Sequence, residues 1–178
     1  SYTSLDTFET CERRHYLSHI VRAVDEPFEG EDGGTGGSGP SQREIGILFH
    51  DTAERAADRG YTTEAEWQEL ATRLATIRGQ RSVLPAVEEC IERFFQTEAS
   101  GWEMLAAEAG FELTFAGETV VGMIDALCRR PDGELVVLDY KATQKARSLD
   151  DDLQLPMYLL ACEQLFEEPV SIAGDAYV

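Results

Sequence analysis

Apolar residues recur at Ile45, Leu48, Phe49, Ala53 and Ala56 between Arg43 and about Asp58, the three-and-four spacing of a helix with one covered face. The same spacing predicts helices over about Glu64 to Arg78, with Leu70, Leu74 and Ile77 on one stripe, and over Val83 to Glu98, with Val87, Ile91, Phe94 and Phe95. Near the start, Ser4 stands ahead of Leu5, Phe8, Tyr16, Leu17, Ile20 and Val21, an N-capped amphipathic helix to about Arg22. The period then drops to two in FELTF (111–115), ETVVGMIDALCRR (118–130) and ELVVLDYKA (134–142), three consecutive strands. Helical spacing returns from Asp150 to Phe166, and PVSIAGDAYV reads as a last strand. Helices, three strands, helix and strand make an α/β fold with a mixed sheet flanked by helices. Residues 29–41, EGEDGGTGGSGPS, are too rich in glycine for regular structure and form a flexible loop. Neither side of that loop is large enough to stand alone, so residues 1–178 are expected to form a single domain.

Composition fits this picture and limits the function. The 178 residues are 43% hydrophobic and include eight phenylalanines, enough for a real core. No run of about 18 apolar residues offers a membrane span, and SYTSLDTFETCERRHYL lacks a signal-peptide core, so the expected location is cytoplasmic and no membrane partner is expected. Cys11, Cys90, Cys128 and Cys162 form no CxxC pair, which argues for reduced thiols rather than a disulfide framework. Thirty-four acidic residues against 15 basic ones give a net charge of −19. That balance is unusual for a nucleic-acid binder, but it suits a halophilic protein from a salty cytoplasm, where the Debye length falls to about 3 Å at 1 M. An acidic partner-binding domain is the alternative. In strong salt, long-range attraction of DNA is screened, and affinity must come from short contacts and metal bridges.

Candidate chemistry lies where the second and third strands meet. If Pro131, Asp132 and Gly133 form a three-residue loop, Arg130 pairs with Glu134 and Asp125 stands opposite Asp139, with Cβ atoms about 5 Å apart. Lys141, two residues beyond Asp139, shares that face. A two-residue loop would set the carboxylates on opposite faces. Two carboxylates so close repel each other unless a cation lies between them. Oxygen-rich ligands suit magnesium or manganese, which polarises a phosphate, and a nearby lysine neutralises growing charge. An isolated DxK is commonly a surface ion pair. Here the preceding LVVL is apolar on both faces, so Asp139 and Lys141 end a buried strand.

These motifs together resemble the PD-(D/E)xK nucleases, in particular the RecB-like branch found in helicase-associated and CRISPR-adaptation nucleases. SYTSLDTFETCERRHYL resembles that branch's opening motif, and GILFH, ending in His50, its histidine helix. AAEAGFELTF, VVGMID and VVLDYKA are similar to its core strands, and LQLPMYLLA to its QxxxY helix. The resemblance implies a restriction-endonuclease-like core with an N-terminal helical insertion at about 64–99, within a longer chain. It implies His50, Asp125, Asp139 and the Tyr140 main-chain carbonyl as metal ligands, and Lys141 as the catalytic lysine. Gln154 and Tyr158 would steady the DxK strand or the DNA backbone, Glu108 is a possible auxiliary, and Arg13, Arg14, Lys145 and Arg147 are candidate phosphate contacts. The implied activity is hydrolysis of DNA with magnesium or manganese, in DNA repair and recombination alongside a helicase domain or subunit. A non-catalytic DNA-binding or assembly domain that keeps the fold is the alternative, and a hydrolase of another phosphodiester is a third. Two features depart from the pattern. Cys11 is followed by Glu12 where the family has proline, and the three C-terminal cysteines that complete an iron–sulfur cluster in some relatives are missing, so no cluster is expected in this chain.

Overall fold

The structure is a computed structural model that describes residues 39–115, 118–142, 154–165, 170 and 172–178. The predicted first helix and most of the glycine-rich loop lie outside the described residues. Contacts divide the chain into two compact units; residues 39–111 and 123–178 form one of them, and residues 112–122 fall in the other. Every residue of the site below belongs to the first.

Three helices come first: α1 (Gln42–Arg59), α2 (Glu64–Arg78) and α3 (Leu84–Gln96). Ser41 and Thr63 start the first two through reciprocal capping boxes with Glu44 and Glu66, so the orphan N–H groups of each first turn are met locally. Pro85 stands in the first turn of α3, where its missing N–H costs nothing. A 3₁₀ turn at Glu98–Gly101 leads into β1 (Glu103–Phe115), followed by β2 (Glu118–Arg129), β3 (Leu135–Lys141), α4 (Gln154–Leu165) and β4 (Ile172–Tyr177). The sheet order is β1-β2-β3-β4; β2 and β3 run antiparallel, and β4 lies parallel to β3 after the α4 crossover. This is the mixed α/β arrangement expected, a four-stranded sheet flanked by helices.

Two sequence expectations fail. Ile77, placed on the buried stripe of α2, is 81% exposed, because that stripe runs through Trp67, Leu70, Ala71, Leu74 and Ala75 and the core ends there. The first strand begins at Glu103, eight residues before the predicted Phe111. Its early part is only half covered, and the covered positions change parity, from Met104, Ala106 and Glu108 to Phe111 and Leu113. That change hides the alternation from a period-two reading. Its source is Glu108, a non-glycine residue at φ 47°, which interrupts the pleat.

The helices meet the sheet through aromatic rings. Phe49 is fully buried, with its ring centroid 6.2 Å from Trp67, 6.4 Å from Phe94 and 5.3 Å from Tyr140. Trp67 and Phe94 stack at 5.1 Å. Tyr140 thus projects from β3 into the helical core, and strand alternation sends its neighbours Asp139 and Lys141 the other way. Thr52, buried beside this cluster, satisfies its hydroxyl on the Leu48 carbonyl at 2.7 Å.

Candidate metal centre

The turn between β2 and β3 fixes the geometry of the site. The Arg130 N–H donates to the Glu134 carbonyl at 2.9 Å, and the Gly133 N–H donates to the Arg130 carbonyl at 2.9 Å. This is the three-residue loop, with Gly133 at φ 92°, a conformation that L side chains resist. The register runs Arg129↔Leu135, Leu127↔Val137 and Ala126↔Leu138, and its next step sets Asp125 opposite Asp139. There the Asp125 side chain joins the backbone pattern: its Oδ2 accepts the Tyr140 N–H at 2.8 Å. Asp125 is 8% exposed and Asp139 2%.

α1 delivers His50 to the same place. With Phe49 locked in the core, the next residue stands at the helix edge, and its ring meets the end of β3. Nε2 lies 3.2 Å from the Tyr140 carbonyl oxygen, which can only accept, so that nitrogen carries the proton. In a neutral ring Nδ1 is then a bare lone pair. Yet Nδ1 faces Glu108 Oε1 at 3.0 Å and Asp125 Oδ2 at 3.7 Å. Lone pairs on three mutually facing atoms repel; a proton or a metal cation must lie among them. Glu54, one helical turn along α1, is not the partner of His50 that helical spacing alone offers.

The electrostatics follow from this crowding. Burial raises the Asp125 carboxyl from 3.8 to about 7; His50 and the Tyr140 N–H oppose the rise, while Asp139 and Glu108 add to it. Asp139 is also raised, by burial and by the Asp175 charge, against the counter-pull of Lys141 and of a hydrogen bond with Asp125. For His50, burial disfavours the charged ring, but the Glu108 hydrogen bond and the charges of Asp125 and Glu108 outweigh it and raise its pKa. Among the described residues, four carboxyls, Glu108, Asp125, Asp139 and Asp175, thus share one partly buried corner with Lys141 and His50. The corner has room in its charge balance for a divalent cation.

Lys141 Nζ pairs with Asp139 Oδ2, and the Tyr158 hydroxyl on α4 donates to Asp139 Oδ1 over a long 3.5 Å. Tyr158 is held by an edge contact with Phe111, ring centroids 6.0 Å apart. His50, Glu108 and Asp125 each offer a ligand atom within 4.8 Å of the others, a nitrogen and two oxygens, and this donor set fits a divalent metal.

A family model for the PD-(D/E)XK nuclease superfamily matches residues 1–178. The chain belongs to that superfamily. No curated protein gives a match. Membership in a nuclease superfamily and the histidine–glutamate–aspartate group agree: superfamily members use divalent metal ions, and this corner holds ligands for one.

The structure treats the sequence candidates unequally. His50, Asp125, Asp139, Lys141 and Tyr158 converge. Asp139 stands beside the three-ligand group, turned to Lys141, and the Tyr140 carbonyl faces Nε2, away from the carboxylates around Nδ1. Gln154 opens α4, but its side chain lies outside the described residues, as do Arg13, Arg14, Lys145 and Arg147. Glu108, an auxiliary in the sequence, takes a central position. Asp175 was missed. It aligns with Asp139 across the parallel β3–β4 pair and accepts the Tyr177 hydroxyl at 2.9 Å. The signal was an aspartate inside the otherwise small and apolar run IAGDAY. Cys90, Cys128 and Cys162 are buried and reduced, and burial pushes the Cys128 thiol up to about 12. Among the described residues no helix is long and apolar enough to cross a membrane.

Proposed function

We propose that this chain is a magnesium- or manganese-dependent deoxyribonuclease that hydrolyses phosphodiester bonds at the corner formed by His50, Glu108, Asp125, Asp139 and Lys141. The observation that carries the reading is the His50 ring: its Nδ1 lone pair is aimed at two carboxylate oxygens while Nε2 is committed to the Tyr140 carbonyl. In this reading His50 Nδ1, Glu108 and Asp125 hold the metal, and Asp139 completes the acidic wall through its contact with Asp125. When bound, the ion supplies positive charge against the scissile phosphate oxygens.

The chain's own groups do the rest. The Tyr140 carbonyl fixes the imidazole's tautomer and direction, as outer partners of metal-binding histidines do. Asp139 holds the Lys141 ammonium where the pentavalent phosphorus develops negative charge, so the lysine stabilises the transition state more than the ground state. Tyr158 steadies Asp139 from α4. We place the activity in DNA repair or recombination with a helicase partner, in line with the RecB-like motif order, and in a halophilic setting, in line with the net charge of −19.

The test is cleavage of end-labelled DNA with magnesium or manganese at low and high salt. Asp139→Ala and Lys141→Ala abolish cleavage while circular dichroism shows an intact fold. Cleavage at the wild-type rate by either variant overturns the assignment. Metal-free folding with no manganese binding by calorimetry favours a non-catalytic DNA-binding or assembly role instead.

A further inference from the structure

Beside the metal corner lies an open cleft of about 430 Å³, lined by His50, Glu108, Asp51, Glu54, Ile47 and Arg78 among others. Its size falls within the range of ligand sites, roughly 300–1,000 Å³. Three of its lining residues are acidic, and a polyanion entering there meets Asp51, Glu54 and Glu108. Among the described lining residues Arg78 is the only arginine or lysine.

Its place in the fold is unusual. Arg78 follows Ala71, Leu74 and Ala75 at helical spacings, so it continues the core-facing stripe of α2. The stripe runs off the core at its last turn, and the residue at that point is an arginine aimed across the cleft at α1. Its Nη2 meets Asp51 Oδ2 at 2.8 Å, and Asp51 Oδ1 also accepts from Arg55 Nε at 3.2 Å. Asp51 is the residue next to His50, so the guanidinium is tethered one position from a ligand of the proposed metal. Asp51 is shared by two arginines, so it does not neutralise both guanidiniums. A guanidinium has five N–H donors in a rigid fork, and the Asp51 contact is made through Nη2.

Resting on the nuclease reading above, we infer that Arg78 is a substrate-binding residue that grips a nucleic-acid phosphate next to the scissile one, with Asp51 as the residue that positions it. Helix α2 thereby contributes to the substrate cleft as well as to the core. Pre-tethering lowers the ordering cost of a long, flexible side chain at the moment of binding. It also sets a positive charge among the acidic residues that line the cleft.

The experiment measures binding of a fluorescein-labelled single-stranded oligodeoxynucleotide by anisotropy across a salt series. It uses the full chain carrying Asp139→Ala so that the probe survives, with and without Arg78→Gln or Arg78→Lys; steady-state cleavage by chains that keep Asp139 is the second readout. Arg78→Gln weakens binding roughly tenfold. It flattens the salt slope by about one phosphate contact. In cleavage it raises KM while kcat stays within about twofold, and Arg78→Lys recovers part of both losses. A purely structural tether predicts a lower melting temperature with unchanged affinity and salt slope, and that result overturns the inference while leaving the nuclease reading intact. A wild-type chain that binds the probe through Arg78 but cleaves nothing overturns the nuclease reading alone. A chain that neither binds nor cleaves overturns both.

Discussion

The two faces of β3 around Tyr140 are built on opposite principles. On one, the Tyr140 ring enters a cluster of Phe49, Trp67 and Phe94 in which the rings meet at 5–6.5 Å and the polar groups are the Tyr140 hydroxyl and the Trp67 indole N–H, which donates to the Tyr61 carbonyl. On the other, the buried Asp139, Asp125 and Tyr158 join the half-buried Lys141 and Asp175 in a setting made of ionisable groups. The aromatic face lowers the free energy of the chain as it stands, because burying apolar surface is favourable without any partner from solution. The acidic face raises it, because burial disfavours ionised carboxyls and pushes Asp125 up to about 7. The first face holds the strand in place so that the second can be kept in an arrangement it would not adopt alone. Such concentrations of shifted groups in a fixed frame are characteristic of functional sites.

Breaking the aromatic face has the largest effect. Phe49→Ala costs about 3–5 kcal/mol of stability, measured by chemical denaturation, and reduces cleavage as well because His50 loses its anchor. Retention of full stability would mean that the ring cluster is not what fixes α1 against β3. On the acidic face, Glu108→Gln lowers manganese affinity about 10–100-fold by calorimetry with little change in melting temperature. The same substitution lowers the His50 pKa in an NMR titration, since it removes the Glu108 hydrogen bond and charge that raise it. An unchanged His50 titration would sever Glu108 from the centre.

A smaller effect sharpens the contrast through pH. Raised carboxyl and imidazole pKa values mean that the folded, metal-free protein binds protons more tightly than the unfolded chain. Their contribution to stability is complete below pH 4 for Asp125 and is lost as the pH rises to about 7; for His50 the loss comes as pH climbs through its raised folded pKa. A divalent ion competes with those protons. Manganese therefore raises the melting temperature more at pH 8 than at pH 5, and an equal shift at both would place the ion elsewhere. The smallest effect belongs to Tyr158→Phe. It removes a 3.5 Å hydrogen bond while keeping the packing on Phe111, and changes stability by about 0.5 kcal/mol or less.

Legibility in the sequence divides along the same line. α1 was readable because Ile45, Leu48, Phe49, Ala53 and Ala56 form a full stripe, and all five are buried. Asp139 and Lys141 were readable on one face because a strand has a fixed period of two, whereas Asp125 joined them only for the three-residue form of the Pro-Asp-Gly loop, which the structure selects. Glu108 resisted because a positive φ on a non-glycine residue leaves no local signature and is stabilised only by what surrounds it. Ile77 was misjudged because the core stops short of the end of α2, where the neighbouring Arg78, which carried no expectation, turns to Asp51.

By itself, the sequence determined the succession of elements from α1 to β4, the strand period that sets Asp139 and Lys141 on one face, and the two loop lengths open to the β2–β3 turn. These follow from local rules whose range is a few residues. Only the tertiary structure decided that His50 points one nitrogen at a carbonyl and the other at two carboxylates, that Glu108 and Asp175 belong to the same corner, and that an arginine ending a core stripe looks into the cleft. Those placements depend on how helices and sheet pack against one another across long stretches of chain, and on burial, which alone turns ordinary carboxylates into a site that calls for a cation.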